Sequence, residues 1–241
     1  MNAESIILEA RDIAIHYGGV KALDGVSFQL EKGEIHGLIG PNGAGKSTVI
    51  DAITGRRKLT RGSVRLDGRD ISGLDIIQRR RRGLARSFQR TSIFANLDVR
   101  EQVVLAAHKV GADAPEQEAL EVMGQLDLLS VAHVPAKDLG YGQQRRLDLA
   151  LALVGRPMVL LLDEPMAGLS PQESRELAEH LLQLARDWNV SVLLVEHDTD
   201  ILFDISDTVT VFELGRVIAN GSPETVRTHP RVKQAYLGSA A

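Results

Sequence analysis

Residues 40–48 read GPNGAGKST, and the order Gly, four residues, Gly, Lys, Ser or Thr is the spacing of a phosphate-binding loop. Gly43 and Gly45 let the backbone curl so that successive N–H groups surround an anion. Lys46 adds a point charge toward the outer phosphates, and Ser47 offers a hydroxyl to Mg2+. The loop follows the apolar stretch IHGLI and leads into KSTVIDAIT, a helix that Gly55 closes. Strand, loop and helix in that order is the context the motif requires.

Asp163 and Glu164 stand at the end of the apolar run MVLLL. Open α/β sheets bind ligands beyond the carboxyl ends of their strands. Asp163 is therefore placed to orient Mg2+ through water, and Glu164 to polarise a water for in-line attack on a terminal phosphate. Without the loop, the same pair would read as acidic residues opening a surface turn. His197 follows VSVLLVE and is either a surface histidine or a group reaching the phosphate from the same sheet edge. Tyr17 is either a stacking platform for a base or a core aromatic beside a turn, and Gln89, in ARSFQ, has no role that its type alone defines. In DLGYGQQRRLDLA, residues 138–150, Gly140 and Gly142 strip side chains from a helix start, where free N–H groups and the macrodipole favour an anion. A tight turn is the competing reading of that segment.

The elements that must hold these residues follow from periodicity. Residues 7–17 and 26–30 alternate apolar and polar and open the chain with antiparallel strands, and Asp67-Gly68 marks a hairpin turn. Residues 158–163 and 190–195 are continuous apolar runs of the buried, parallel kind. Between them SPQESRELAEHLLQLARDW has Ser170 as N-cap, Pro171 at the first helical position, Glu173 completing a capping box, and an apolar face of Leu177, Leu181 and Leu184. That is a βαβ crossover. Residues 90–150 show helical patterns and no convincing strand, so a helical lobe inserted into an α/β core is expected. Residues 208–221 give a final hairpin, and short helices end the chain. The run Arg79 to Arg82 reads as a solvated helix face, with docking to an acidic partner second.

Bulk composition bounds the chemistry. The 241 residues, 44% hydrophobic and 25% charged, suit one globular domain carrying an inserted lobe. Lys and Arg number 28 against 32 Asp and Glu, a net charge of -4, so no global basic field exists and nucleic acid is not an expected partner. Absence of cysteine removes disulfides and thiolate metal sites, and redox chemistry is not expected. The N-terminal MNAESIILEARDIAIHY is too charged for a signal peptide, and nothing approaches the ~18 apolar residues of a membrane span, so a soluble chain is expected.

Taken in order, these segments resemble the ATP-binding subunit of an ABC transporter over nearly the whole chain. The resemblance implies an α/β fold: a P-loop NTPase (RecA-like) core with an N-terminal antiparallel β subdomain and an inserted helical subdomain. Residues 1–88 and 152–241 would form the core, residues 89–151 the helical part. Tyr17 matches the adenine-stacking aromatic, while Asn42, Gly43, Ala44 and Gly45, with Lys46, Ser47 and Thr48, form the Walker A loop. VLLLDEP matches Walker B, with Glu164 as catalytic carboxylate and Asp163 beside Ser47 and Gln89 at Mg2+. His197 matches the switch histidine, and Gln89 the glutamine that senses the membrane partner. Gly140, Tyr141, Gly142 and Gln143 fall on the signature segment, which in this family binds the γ-phosphate of ATP held on the Walker A loop of a second, head-to-tail subunit. The cofactors implied are ATP and Mg2+. The partners implied are a second ATPase subunit (itself or a close paralogue), transmembrane permease subunits and, indirectly, a periplasmic or extracellular solute-binding protein. The expected location is the cytoplasmic face of the cell membrane.

Two departures accompany the resemblance. Gly140 stands where the family's signature has serine, removing a hydroxyl contact to phosphate, and Ser170 stands where the D-loop has Asp or Asn. ARSFQ, YGQQRRLDLA, AGLSPQE and the ending VIANGSPETV are most similar to the ATPases of branched-chain amino acid importers, a group that also imports urea, short amides and some aromatic acids. The ATPase of lipopolysaccharide export and a non-transport cassette such as the iron–sulfur assembly ATPase are alternatives, and a P-loop kinase the last.

Overall fold

The computed structural model describes residues 5–87 and 92–237. Strand β1 (Ile6–Tyr17) pairs antiparallel with β2 (Val20–Glu31); after β3 (Ile35–Ile39) and helix α1 (Lys46–Thr54) the chain returns to β1 with β4 (Arg61–Leu66) and β5 (Arg69–Asp70). These four strands, in the order β2-β1-β4-β5, make the first sheet. Strand β2 is longer than its alternating half suggests. Ile13 pairs with Val26 while Ala14 pairs with Asp24, so Gly25, at φ 81, is bulged out and the apolar phase slips by one residue.

The second sheet carries the site. Helix α2 (Ile76–Arg81) leads to β6 (Leu84–Ser87), then come helices α3 (Val99–Val110), α4 (Pro115–Gln125) and α5 (Tyr141–Leu153). The chain continues through β7 (Val159–Asp163), α6 (Pro171–Asp187), β8 (Ser191–Val195), α7 (Thr199–Ile205), the hairpin β9 (Thr208–Glu213) and β10 (Arg216–Gly221), and α8 (Pro223–Thr228). The sheet order is β10-β9-β3-β8-β7-β6, parallel throughout except for the β9–β10 pair. Strand β6 has no counterpart in the sequence reading, because LARS is too short to show a period; its pairing with β7 defines it.

Both faces of this sheet are covered, which explains the unbroken apolar runs. Leu161, Leu193 and Val195 join a core with Leu8, Val49 and Ile53 from the first sheet and α1. Their neighbours Leu160, Leu162, Val192 and Leu194 join the opposite core with Leu147 of α5 and Leu177 and Leu181 of α6. Helices α3, α4 and α5 share that second core through Val103, Met123 and Leu153. Helix α6 starts as expected: Ser170 accepts the Glu173 N–H and Glu173 returns to the Ser170 N–H. Helix α5 begins one turn position earlier than Gly142, with Gly140 as its N-cap and the Gln143 carboxamide on the Gly140 N–H.

The arginine run is not a solvated face. Arg79 is buried, and its guanidinium donates to the carbonyls of Ala52 and Ile53, in the last turn of α1, and to those of Ser72 and Leu74. Arg80 donates to the carbonyls of Ala152 and Val154 at the end of α5. Helix C-termini leave carbonyls without intrahelical partners, and two of the four arginines are consumed there; Arg81 and Arg82 are exposed.

Candidate nucleotide site

The glycine loop joins the C-terminal end of β3 to α1. Gly43 and Gly45 sit at φ 77 and 106, and a Cβ on Gly45 would lie 2.9 Å from the Ala22 carbonyl oxygen, so conformation and space both demand glycine there. Lys46 is folded back on its own loop, its Nζ donating to the carbonyls of Gly40 at 2.6 Å and Pro41 at 3.2 Å. Burial pushes the Lys46 ammonium below the usual lysine value, while Glu164 and Asp163 pull the other way. Asn42, Ala44, Ser47 and Thr48 line the same cleft of about 500 Å³ as Glu164 and His197.

Strand β8 lies between β3 and β7, yet helix α1 brings Ser47 across to Asp163. The Ser47 hydroxyl donates to Asp163 Oδ1 at 3.3 Å, and Arg86 of β6 donates to Asp163 Oδ2 at 3.2 Å and to Asp51 Oδ1 at 2.5 Å. Burial pushes the Asp163 carboxyl up, and the Arg86 guanidinium opposes that shift. The next residue, Glu164, adopts φ 54, a left-handed conformation that costs an L residue roughly 1–2 kcal/mol. Its N–H donates to the Val195 carbonyl at 2.8 Å, tying the turn to the end of β8. His197 Nε2 lies 2.7 Å from Glu164 Oε1. Between them Glu196, buried, accepts the N–H groups of Met166 at 2.7 Å and His197 at 3.1 Å, and burial pushes its carboxyl up.

Among the described residues, the other expected ones are not part of the lining of this cleft. Tyr17 ends β1, 47% exposed, with the Arg57 guanidinium 5.7 Å from its ring centre; Val20, its partner across the turn, lines the cleft, as does Leu214. Gln89 lies outside the described residues. Gly140, Tyr141, Gly142 and Gln143 open α5 and take no part in the cleft. Gly142 meets Glu173 instead, where an added Cβ would stand 2.5 Å from the carboxylate. The Tyr141 hydroxyl donates to the Ala167 carbonyl at 3.1 Å. Sequence reasoning missed Arg86 and Glu196. The signal was present for Glu196, a charge at the end of an otherwise apolar strand, whereas Arg86 acquires meaning only once β6 is paired beside β7.

A glycine-bounded loop whose lysine shares one cleft with a glutamate and a histidine, and whose serine meets a second carboxylate, is the anion-binding site of a P-loop nucleotide-binding protein. The chain belongs to the ABC transporter family of ATP-binding proteins and is an ATPase. That family matches residues 23–167, and the branched-chain amino acid ATP-binding cassette transporter family matches residues 216–241. The high-affinity branched-chain amino acid transport ATP-binding protein BraF of Pseudomonas aeruginosa is 38% identical, covering 97% of this chain and 98% of BraF. LivG of Salmonella typhimurium, of the same description, is 39% identical over the same shares. Among solved structures, the ADP conformation of an ATP-binding cassette of an ABC transporter superposes with a TM-score of 0.88 at 29% identity, covering 97% of this chain and 99% of that one. A nucleotide-free cassette gives 0.87 at 28%, covering 96% and 98%.

Proposed function

We propose that this chain powers import of branched-chain amino acids or related small solutes, two such ATPases closing head-to-tail around two Mg-ATP beneath membrane permease subunits fed by a solute-binding protein. Residues 1–88 and 152–241 act as the catalytic core, and residues 89–151 as the helical subdomain that carries the signature. The observation that bears most weight is the Glu164–His197 pair at 2.7 Å in the cleft that also holds Lys46. Glu164 accepts a proton from the attacking water and His197 holds the carboxylate toward the terminal phosphoryl group. Lys46 exchanges its loop carbonyls for phosphate oxygens. The names of BraF and LivG favour solute import over lipopolysaccharide export or cluster assembly.

The donor set fits Mg2+. Ser47 Oγ and the Asp163 carboxylate are hard oxygen ligands held side by side. Among the described residues no group of three or more His, Cys, Asp or Glu side chains gathers to cage a cation, which suits an ion that arrives with substrate phosphates. When bound, Mg2+ neutralises charge building on those phosphates. No described helix is long and apolar enough to cross a membrane; in this reading the permease holds the chain at the membrane, on the cytoplasmic face where ATP is available.

Reconstitution tests this reading. With permease and binding protein in proteoliposomes, the wild-type chain should drive uptake of labelled leucine, and Glu164→Gln should bind ATP while hydrolysing it about 10²–10⁴-fold more slowly, the usual share of a general base. Wild-type turnover in Glu164→Gln would remove that residue from its role. Failure to accumulate any branched-chain amino acid, urea, short amide or aromatic acid would overturn the importer assignment.

A further inference from the structure

We infer that Arg145 is a positioning residue for hydrolysis: from the second turn of the signature helix it grips the main chain of Glu164, making the segment lent to a partner's nucleotide and this chain's own catalytic carboxylate one mechanical unit. The inference rests on the reading of Glu164 given above. Arg145 is buried at 3% exposure, and its Nη2 donates to the Glu164 carbonyl at 3.1 Å. That carbonyl belongs to the residue held at φ 54. A strained backbone persists only when its surroundings over-determine it, and here β8 holds the Glu164 N–H while α5 holds the Glu164 C=O.

A second attachment runs alongside. Tyr141, at the start of α5, donates its hydroxyl to Ala167 and lays its ring against Gly168, whose Cβ, if present, would stand 3.1 Å from the ring edge. The Arg145 guanidinium lies 6.0 Å from the centre of the same ring. The turn from Glu164 to Gly168 is thus bound to α5 at both ends. When residues 140–143 meet a triphosphate on a facing subunit, the force on α5 passes through Arg145 to the peptide that aims the Glu164 carboxylate. Closure on one nucleotide then sets the alignment at the other.

Positioning and structural roles separate kinetically. In steady-state ATP hydrolysis by the full chain, Arg145→Met should lower kcat between about tenfold and a hundredfold, the range a misaligned reacting group produces, with KM for ATP unchanged. Arg145→Lys keeps the charge and one donor without the planar fork and should fall between Met and wild type. In a Glu164→Gln background, measured by single-turnover release of labelled phosphate, Arg145→Met should cost nothing further, because the group it aims is already gone. Equal fold losses in both backgrounds, or a fall in kcat matched by a rise in KM, would make Arg145 merely structural and overturn the inference. Should Arg145→Met fail to fold, Arg145→Lys decides: reduced kcat at unchanged KM supports the inference, wild-type kcat overturns it. Wild-type turnover in Glu164→Gln alone would instead sink the reading of Glu164 itself.

Discussion

Lys46 is poised rather than idle. Its ammonium rests on the Gly40 and Pro41 carbonyls, so in the proposed role phosphate oxygens would replace existing partners instead of ordering a loose side chain, which lowers the entropic cost of binding. Charged hydrogen bonds contribute about 1.5–3 kcal/mol each, so Lys46→Ala should weaken ATP binding roughly ten- to a hundredfold by titration calorimetry; unchanged affinity would contradict the role. Residue types at this scale were partly legible. Lys46, Ser47, Asp163 and Glu164 announce themselves through spacing and strand ends, and His197 through its place after an apolar run. Arg86 and Arg145 do not, because each acquires its task from a backbone or carboxylate brought near by the fold. Tyr17 pairs with Val20, a residue of the cleft wall, so its place beside the site follows from the β1–β2 turn and not from its type.

Elements are held together at their ends. Arg79 is the plainest case: a cation in an apparent charge run, buried to serve the carbonyls that end α1. Arg79→Met keeps the volume and orphans those acceptors, each costing about 1–3 kcal/mol when buried. Urea unfolding should show a loss of about 3 kcal/mol or more at constant m; a loss below about 0.5 kcal/mol would place Arg79 among ordinary surface substitutions. At the start of α6, hydrogen bonds from Ser170 hold the Glu173 carboxyl below its ordinary 4.5. A depressed folded pKa means stabilisation that is full above pH 4.5 and lost as pH falls through the folded value. The stability advantage of wild type over Glu173→Gln should therefore be constant from neutral pH down to about 4.5 and then vanish at lower pH; a difference independent of pH would refute the cap. Helix caps were readable because Ser170, Pro171 and Glu173 follow one another at fixed offsets. Strand β6 and the outer half of β2 were not, the first for want of length and the second because the Gly25 bulge shifts its phase.

Across the whole molecule, the cleft of Lys46 and Glu164 and the start of α5 are separate places. Residues 140–143 carry a glycine-bounded helix start with no phosphate loop of their own to face, and the cleft is open at about 500 Å³. In the function proposed above, a twin turned head-to-tail would supply each with its complement. The order of motifs along the chain is what implies this arrangement. An exchange between two copies would be a property of no single chain's periodicity.

The most direct test is the structure of Glu164→Gln with Mg-ATP. The account predicts a two-fold dimer in which each γ-phosphoryl group lies between Lys46 of one subunit and the Gly140–Gln143 backbone of the other. A nucleotide-loaded, hydrolysis-blocked protein whose residues 140–143 stay remote from every triphosphate, alone and with the permease, would contradict it.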